Sequence, residues 1–227
     1  MSLYDDLARV STATLTTVLL KKGLRNVWLR GAMPVAEGPR RAGPAFTLRF
    51  VPAREDLATP AAWASPRSTR AAIEAMPAGA VAVIDAMGAR GAGVFGDILC
   101  QRMAVRGVAA LVTDGVVRDL AGVLSTGLPV WCAGNAAPPS VAGLHFVGWG
   151  ETVACGGVCV EPGDAIVADR DGAVVVPAAL AAAVAAEAAE QEAFEDWALA
   201  EVRGGAALPG LYPPDAATRA RYDAARR

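Results

Sequence analysis

Asp97, Arg118 and Asp119 are the side chains whose types and spacing point to chemistry in this sequence. Asp97 opens a stretch that reads as a short helix to about Arg106, and Gly107 is a natural stop for it. Such a helix advances about 15 Å, at about 1.5 Å per residue. The apolar run Val108 to Thr113 then returns roughly as far as a strand, at about 3.3 Å per residue. The two acids and the guanidinium are therefore expected to meet at one end of the unit, although twenty residues separate Asp97 from Arg118. A helix start offers unsatisfied N–H groups and a partial positive charge, so an anion is welcome there. Taken alone, an Arg-Asp pair at a turn reads as a surface ion pair. Its convergence with Asp97 and a helix start reads as a site.

Other catalytic toolkits are thin in this chain. The lysines are Lys21 and Lys22, side by side before Gly23, and the one histidine is His145, between Leu144 and Phe146 at a strand position. Schiff-base chemistry needs a desolvated lysine, and one histidine excludes a multi-histidine metal site within a single chain. Carboxylates, arginines and backbone amides remain. Their oxygen ligands suit magnesium or manganese rather than zinc or copper. Cys155-Gly-Gly-Val-Cys159 has a spacing that a metal site uses, but no further ligands lie nearby, and both read as small strand residues. With Cys100 and Cys132 they are expected to be reduced thiols.

The elements that must position these residues follow from pattern. Ser11, Thr12 and Thr14 are placed to cap a helix running to Lys22, with Gly23 as its stop. Phe46, Leu48 and Phe50 share one face of a strand within 40–52, and residues 53–69 read as an irregular excursion. A short helix at 70–76 leads to a buried strand at 80–84, which enters Asp85 and the glycine-rich loop 88–96. Gly91, Gly93 and Gly96 fit the dinucleotide spacing G-x-G-x-x-G on paper. The match is weak, because Asp114 begins a turn where that motif wants an acid after the next strand. Further strands are expected at 128–131, 145–147 and 158–160, and a hairpin at 165–168 and 173–176. An alanine-glutamate helix follows from Pro177 to about Val202, with Glu187, Glu190, Glu192 and Glu195 as its solvated face. Residues 204–227 read as loop-rich. The βαβ units and hairpins together indicate a compact α/β domain.

Apolar residues make up 54% of the chain, which is ample for a core, and the net charge of -2 leaves no footprint for nucleic acid. No apolar run spans a bilayer, and the opening Met-Ser-Leu-Tyr-Asp-Asp lacks the regions of a signal peptide. The expectation is a cytoplasmic protein that binds neither nucleic acid nor membrane.

The core stretch resembles the RraA-like family, which includes the class II pyruvate aldolases acting on 4-hydroxy-4-methyl-2-oxoglutarate. The resemblance rests on Asp97, twenty intervening residues and Arg118-Asp119, set inside Phe95-Gly-Asp-Ile-Leu99 and Val112-Thr-Asp-Gly-Val-Val-Arg-Asp119. It continues through Gly127-Leu-Pro-Val130 and the stretch from Cys155 to Pro177, covering most of residues 40–205. It implies a layered α/β/β/α, swivelling-domain-like core over residues 1–205, with a C-terminal helix. Residues 206–227 would form a tail packing on a neighbouring subunit. By position, Asp119 would bind the divalent metal, Mg2+ or Mn2+, and Asp97 would hold one of its waters. Arg118 would contact the oxo group of a pyruvyl substrate and stabilise the enolate, and the amides of Ile98 and Leu99, just after Gly96, would bind its carboxylate. The family forms homotrimers, often paired into hexamers, in which a carboxylate from a neighbour's C-terminal helix reaches the site. By position that is Glu195, with Glu192 or Asp196 behind it.

The resemblance implies a metal-dependent carbon–carbon lyase that cleaves a 4-hydroxy-2-oxo acid to pyruvate through a metal-stabilised enolate. Oxaloacetate decarboxylation would be an accompanying activity. A competing reading is a non-enzymatic regulator that binds a ribonuclease complex, as some family members do. The presence of Asp97, Arg118 and Asp119 together favours the enzyme. One departure stands out, because the family commonly carries a further acid three positions after the Arg-Asp pair, where this chain has Gly122.

Overall fold

The computed structural model describes residues 2–226. Helices α1 (Leu3–Leu7) and α2 (Thr12–Lys21) open the chain. Ser2 and Ser11 cap them, their side chains accepting from the amides of Asp5 and Thr14. Gly23, at φ 85°, ends α2 in the left-handed conformation that suits glycine.

After β1 (Met33–Pro34) comes β2 (Arg41–Pro52), a 12-residue strand that organises the main sheet. Its first residues pair antiparallel with β9 (Ala165–Asp169), from Arg41↔Ala168 to Pro44↔Ala165. Its middle pairs parallel with β3 (Val81–Asp85), and its last third pairs antiparallel with β6 (Leu144–Trp149). Beyond β3 lie β4 (Ala110–Thr113) and β5 (Val130–Cys132), both parallel, with β1 antiparallel on the edge. On the other side β10 (Gly172–Val176) closes a hairpin with β9. A separate hairpin joins β7 (Val153–Cys155) to β8 (Val158–Val160). The helices are α3 (Thr69–Ala75), α4 (Asp97–Val105), α5 (Leu120–Ser125), α6 (Ala181–Arg203) and α7 (Ala216–Ala225).

Strand alternation divides the core into layers. In β3, Ala82 and Ile84 pack with Ile73, Met76, Cys100, Met103 and Val123 from α3–α5 and the residue closing α3. Val81 and Val83 face the other way, onto Ile166, Ala168, Ala173, Val175 and the β7–β8 hairpin. Across that second sheet, Val167, Val174 and Val176 pack on Leu7, Leu15 and Val184 of α1, α2 and α6. Period-two side chains on strands buried on both faces produce this α/β/β/α stack. The layered α/β expectation is met.

Three elements differ from the pattern reading. β1 is two residues long and contains Pro34, and β7 is three residues long, so neither carries a measurable period. The tail contains α7, hidden behind Pro213-Pro214 and capped by Asp215, which accepts from Thr218 N at 2.8 Å. Leu211 and Tyr222 pack there on Phe194 and Ala198 of α6 in the same chain. The carboxylates of α6 also divide. Glu187 and Glu190 are exposed and pair with Lys22 and Arg226. Glu192 and Glu195 are half-buried and belong to no solvated face. Cys155 is buried and Cys159 exposed across their hairpin, and all four cysteines are free. Among the described residues no group of three or more His, Cys, Asp or Glu side chains is placed to hold a metal ion, so Cys155 and Cys159 are strand residues. No helix among the described residues is long and apolar enough to cross a membrane.

Candidate active site

Two loops cross at the ends of β3 and β4 and bring the polar residues together. Val94 N donates to Val116 O at 2.8 Å, and Arg118 N donates to Phe95 O at 2.9 Å. The two segments therefore run side by side, one into Asp97 at the start of α4 and the other into Arg118-Asp119 before α5. Close approach requires glycine here: a Cβ on Gly93 would lie 2.6 Å from Arg118 N, and one on Gly96 would lie 2.8 Å from Asp119 Oδ2. Gly93 N itself donates to Pro138 O at 3.0 Å. The glycine-rich loop thus floors the cleft and packs on Arg118.

Asp119 occupies the N-cap position of α5 in the left-handed region, at φ 53° and ψ 45°, and its side chain caps no helix amide. Such a conformation costs a non-glycine residue about 1–2 kcal/mol and concentrates at functional positions. Asp119 Oδ2 instead accepts from Arg118 Nε at 2.9 Å, with the two side chains 44% and 34% exposed. Asp97, the first residue of α4, packs on the first turn of α5. A Cβ on Gly122 would lie 2.7 Å from both Cβ and Oδ2 of Asp97. Gly122 stands three residues after Asp119, on the same side of α5, so both carboxylates lie along one helical turn.

Of the three amides that open α4, those of Asp97, Ile98 and Leu99, one is engaged. Ile98 N donates to Asp97 Oδ1 at 2.7 Å. Leu99 N donates to no partner among the described residues. Gly96, Asp97, Ile98, Leu99, Arg118 and Asp119 all line one open cleft of about 250 Å³. Trp63, Thr69, Arg70, Pro139 and Ser140 complete its lining. Loops 53–69 and 134–144, where the sequence places recognition of the distal half of a substrate, supply Trp63, Thr69, Pro139 and Ser140, while Arg70 comes from α3. Cys100, at the end of the first turn of α4, is no nucleophile, because burial, reinforced by the charge of Asp97, pushes its thiol up to about 12.

Asp114 braces the loops from below. Its Oδ1 accepts from Ala86 N at 2.8 Å, and its Oδ2 accepts from Gly88 N at 3.1 Å and Gly156 N at 3.0 Å. Burial raises its carboxyl above the ordinary carboxylate range against the pull of these three amides, and the nearby Asp85 adds to the rise. An Asp114→Ala protein is expected to lose about 3 kcal/mol of stability, because buried donors left without acceptors cost about 1–3 kcal/mol each. Urea unfolding measures the loss, and an unchanged midpoint would show that the three amides find other acceptors.

The structure does not bring Glu195 to the cleft within one chain. Its carboxylate accepts from Thr14 Oγ1 at 3.0 Å, Gln191 Nε2 at 2.8 Å and Tyr212 OH at 3.0 Å. Glu192 accepts from the amide and hydroxyl of Ser11 and pairs with Arg40 at 3.3 Å. Asp196 is exposed, and its carboxylate forms no hydrogen bond or ion pair among the described residues. The cleft's own acids are therefore Asp97 and Asp119. Oxygen donors open to water fit a hydrated hard cation such as magnesium or manganese, for which one or two carboxylates suffice.

Comparison with known proteins adds to this picture. The sequence pattern of the RraA-like family (Aldolase/RraA) matches residues 8–175. The chain is 33% identical over 147 residues to a protein of Halalkalibacterium halodurans named "Putative 4-hydroxy-4-methyl-2-oxoglutarate aldolase", covering 63% of each chain. It is 28% identical over 176 residues to Protein DlpA of Legionella pneumophila, covering 78% of this chain. The matched segment spans 63% of the first relative's length and 28% of the second's. Among solved structures it is similar to Streptomyces coelicolor RraAS2, described as an unusual member of the RNase ES inhibitor RraA protein family. The TM-score is 0.78 at 37% identity, over 86% of this chain and 94% of that one.

Proposed function

The chain belongs to the RraA-like (Aldolase/RraA) family, and from that premise we propose that it is a divalent-metal-dependent lyase releasing pyruvate from a 4-hydroxy-2-oxo acid. The observation that carries the reading is the meeting of Asp97, Arg118 and Asp119 with the start of α4 in one cleft. Asp119, with Asp97 beside it, would hold magnesium or manganese, which when bound supplies Lewis-acid polarisation of an oxo group.

The chain's own residues account for the remaining tasks. The free amide of Leu99 receives a substrate carboxylate, and that of Ile98 joins it once Asp97 turns away. Arg118 faces the 2-oxo oxygen, where negative charge develops as the carbon–carbon bond breaks. A fixed cation aimed at developing charge is the type of electrostatic aid that dominates many enzymes. Oxaloacetate, whose decarboxylation yields the same pyruvate enolate, is an accompanying substrate. The proposal extends to a homotrimer or a pair of trimers, with a carboxylate of a neighbouring α6 completing the cleft. Glu195 would have to exchange three donors of its own chain to do so, whereas Asp196 exchanges none.

The test is pyruvate release from oxaloacetate and from 4-hydroxy-4-methyl-2-oxoglutarate, with magnesium and with EDTA. Release that EDTA abolishes and magnesium restores is expected; release indifferent to EDTA would remove the metal from the reading. A second reading, a non-enzymatic regulator of a ribonuclease complex, draws on the likeness to RraAS2. No turnover of either oxo acid, together with inhibition of a ribonuclease, would favour it.

A further inference from the structure

We propose that Arg70, stacked on Trp63 and flanked by Thr69, is the specificity-determining residue for the far end of the substrate. Its ligand would be a second carboxylate, so that the cleft selects 2-oxo dicarboxylates over 2-oxo acids with neutral tails. The proposal rests on the lyase reading for which end of the ligand lies at Arg118.

Helices α3 and α4 are locked side by side by Glu74. Its carboxylate accepts from Arg102 Nε and Nη2, both at 2.8 Å, and from Arg106 Nη1 at 3.1 Å. One turn back along each helix stand Arg70 and Ile98, and both line the cleft. This bridge joins the two helices one turn from the residues they bring to the cleft.

Two arginines line this cleft, and they differ. Arg118 is paired with Asp119. Arg70 forms no ion pair or side-chain hydrogen bond among the described residues, and its guanidinium carbon sits 5.0 Å from the centre of the Trp63 ring. Stacking on an aromatic face holds a guanidinium in place while leaving its in-plane N–H fork free for a carboxylate. Thr69 lies beside Arg70, is only 6% exposed and lines the same cleft. The cleft thus has two cationic loci, Arg118 from the loop after β4 and Arg70 from α3. A ligand with an anionic group at each end matches both.

The test compares binding of two acids of equal chain length to the magnesium-loaded protein by calorimetry: 2-oxoglutarate, and 2-oxopentanoate, which lacks the distal carboxylate. The parent is expected to bind 2-oxoglutarate about 10–100-fold more tightly, the range for a charge-assisted pair. Arg70→Ala is expected to erase that preference by weakening 2-oxoglutarate alone, and Arg70→Lys to keep part of it, with melting temperatures unchanged. No preference in the parent, a preference that survives in Arg70→Ala, or no binding of either acid would each overturn the proposal. The lyase reading fails separately. A diacid preference without pyruvate release from any 4-hydroxy-2-oxo acid removes the reaction and leaves Arg70 as an anion receptor. Pyruvate release without the preference removes Arg70 and leaves the lyase.

Discussion

An Asp119→Ala protein is expected to release pyruvate from oxaloacetate about a thousandfold more slowly than its parent while keeping its fold. The side chain is 44% exposed and caps no helix amide, so its loss removes no buried contact. Alanine meets the left-handed backbone at φ 53° whose cost Asp119 largely bears already, so the melting temperature should fall only modestly. The activity loss is larger, because a bound cation stabilises charge in a transition state by several kcal/mol, and each 1.36 kcal/mol is tenfold in rate. Asp119→Asn sharpens the test. It keeps the shape and suits the left-handed backbone, yet it removes the charge, so it should be nearly as slow. Steady-state rates across a magnesium titration measure both variants. If either turns over within a few-fold of the parent, Asp119 does not hold the cation.

Gly122→Ala is expected to lower kcat/KM about a hundredfold, even though alanine favours the helix in which it would stand. The added Cβ would lie 2.7 Å from the Cβ of Asp97, a distance that no rotation of the Asp97 carboxylate relieves. Helices α4 and α5 must part, or Asp97 must leave the cleft. A misplacement of about 1 Å at such a site costs on the order of a hundredfold. The same contact explains the departure at this position. An acid in place of Gly122 would drive into Asp97 rather than stand beside it, so in this chain glycine makes room for the second carboxylate. Kinetics alongside a melting curve separate the outcomes, and parent-like turnover would show that the position of Asp97 does not matter.

Much of this arrangement was legible because local signals agreed. Ser11 with Gly23 bounded α2, and Phe46, Leu48 and Phe50 marked one face of β2. The strong stop at Gly107 turned Asp97 back toward Arg118. What pattern could not supply was contact between elements that share no period. Arg70 and Trp63 sit in or beside an irregular excursion, and only tertiary packing brings them into one cleft with Arg118. Asp114 read as the opening of a turn, which it is, but its three amide partners come from loops 26 to 42 residues away. Glu192 and Glu195 looked like the outer face of an alanine-rich helix, because propensity does not reveal that α2 docks its capped end there.

The threefold pairing of β2 also bears on how the chain is made. Its middle finds β3 soon after synthesis, but Pro52 must wait for Leu144 and Arg41 for Ala168. At about 5–20 residues per second, that interval lasts on the order of ten seconds on the ribosome. Throughout it, the two ends of the central strand present unpaired edges, the kind that recruits foreign strands. Long-range pairing of this kind slows closure of a sheet. Proline at position 44, where β2 meets its latest partner, and again at position 52 removes two amide donors from those waiting edges. The nascent chain therefore carries, within its most vulnerable strand, two residues that blunt premature association.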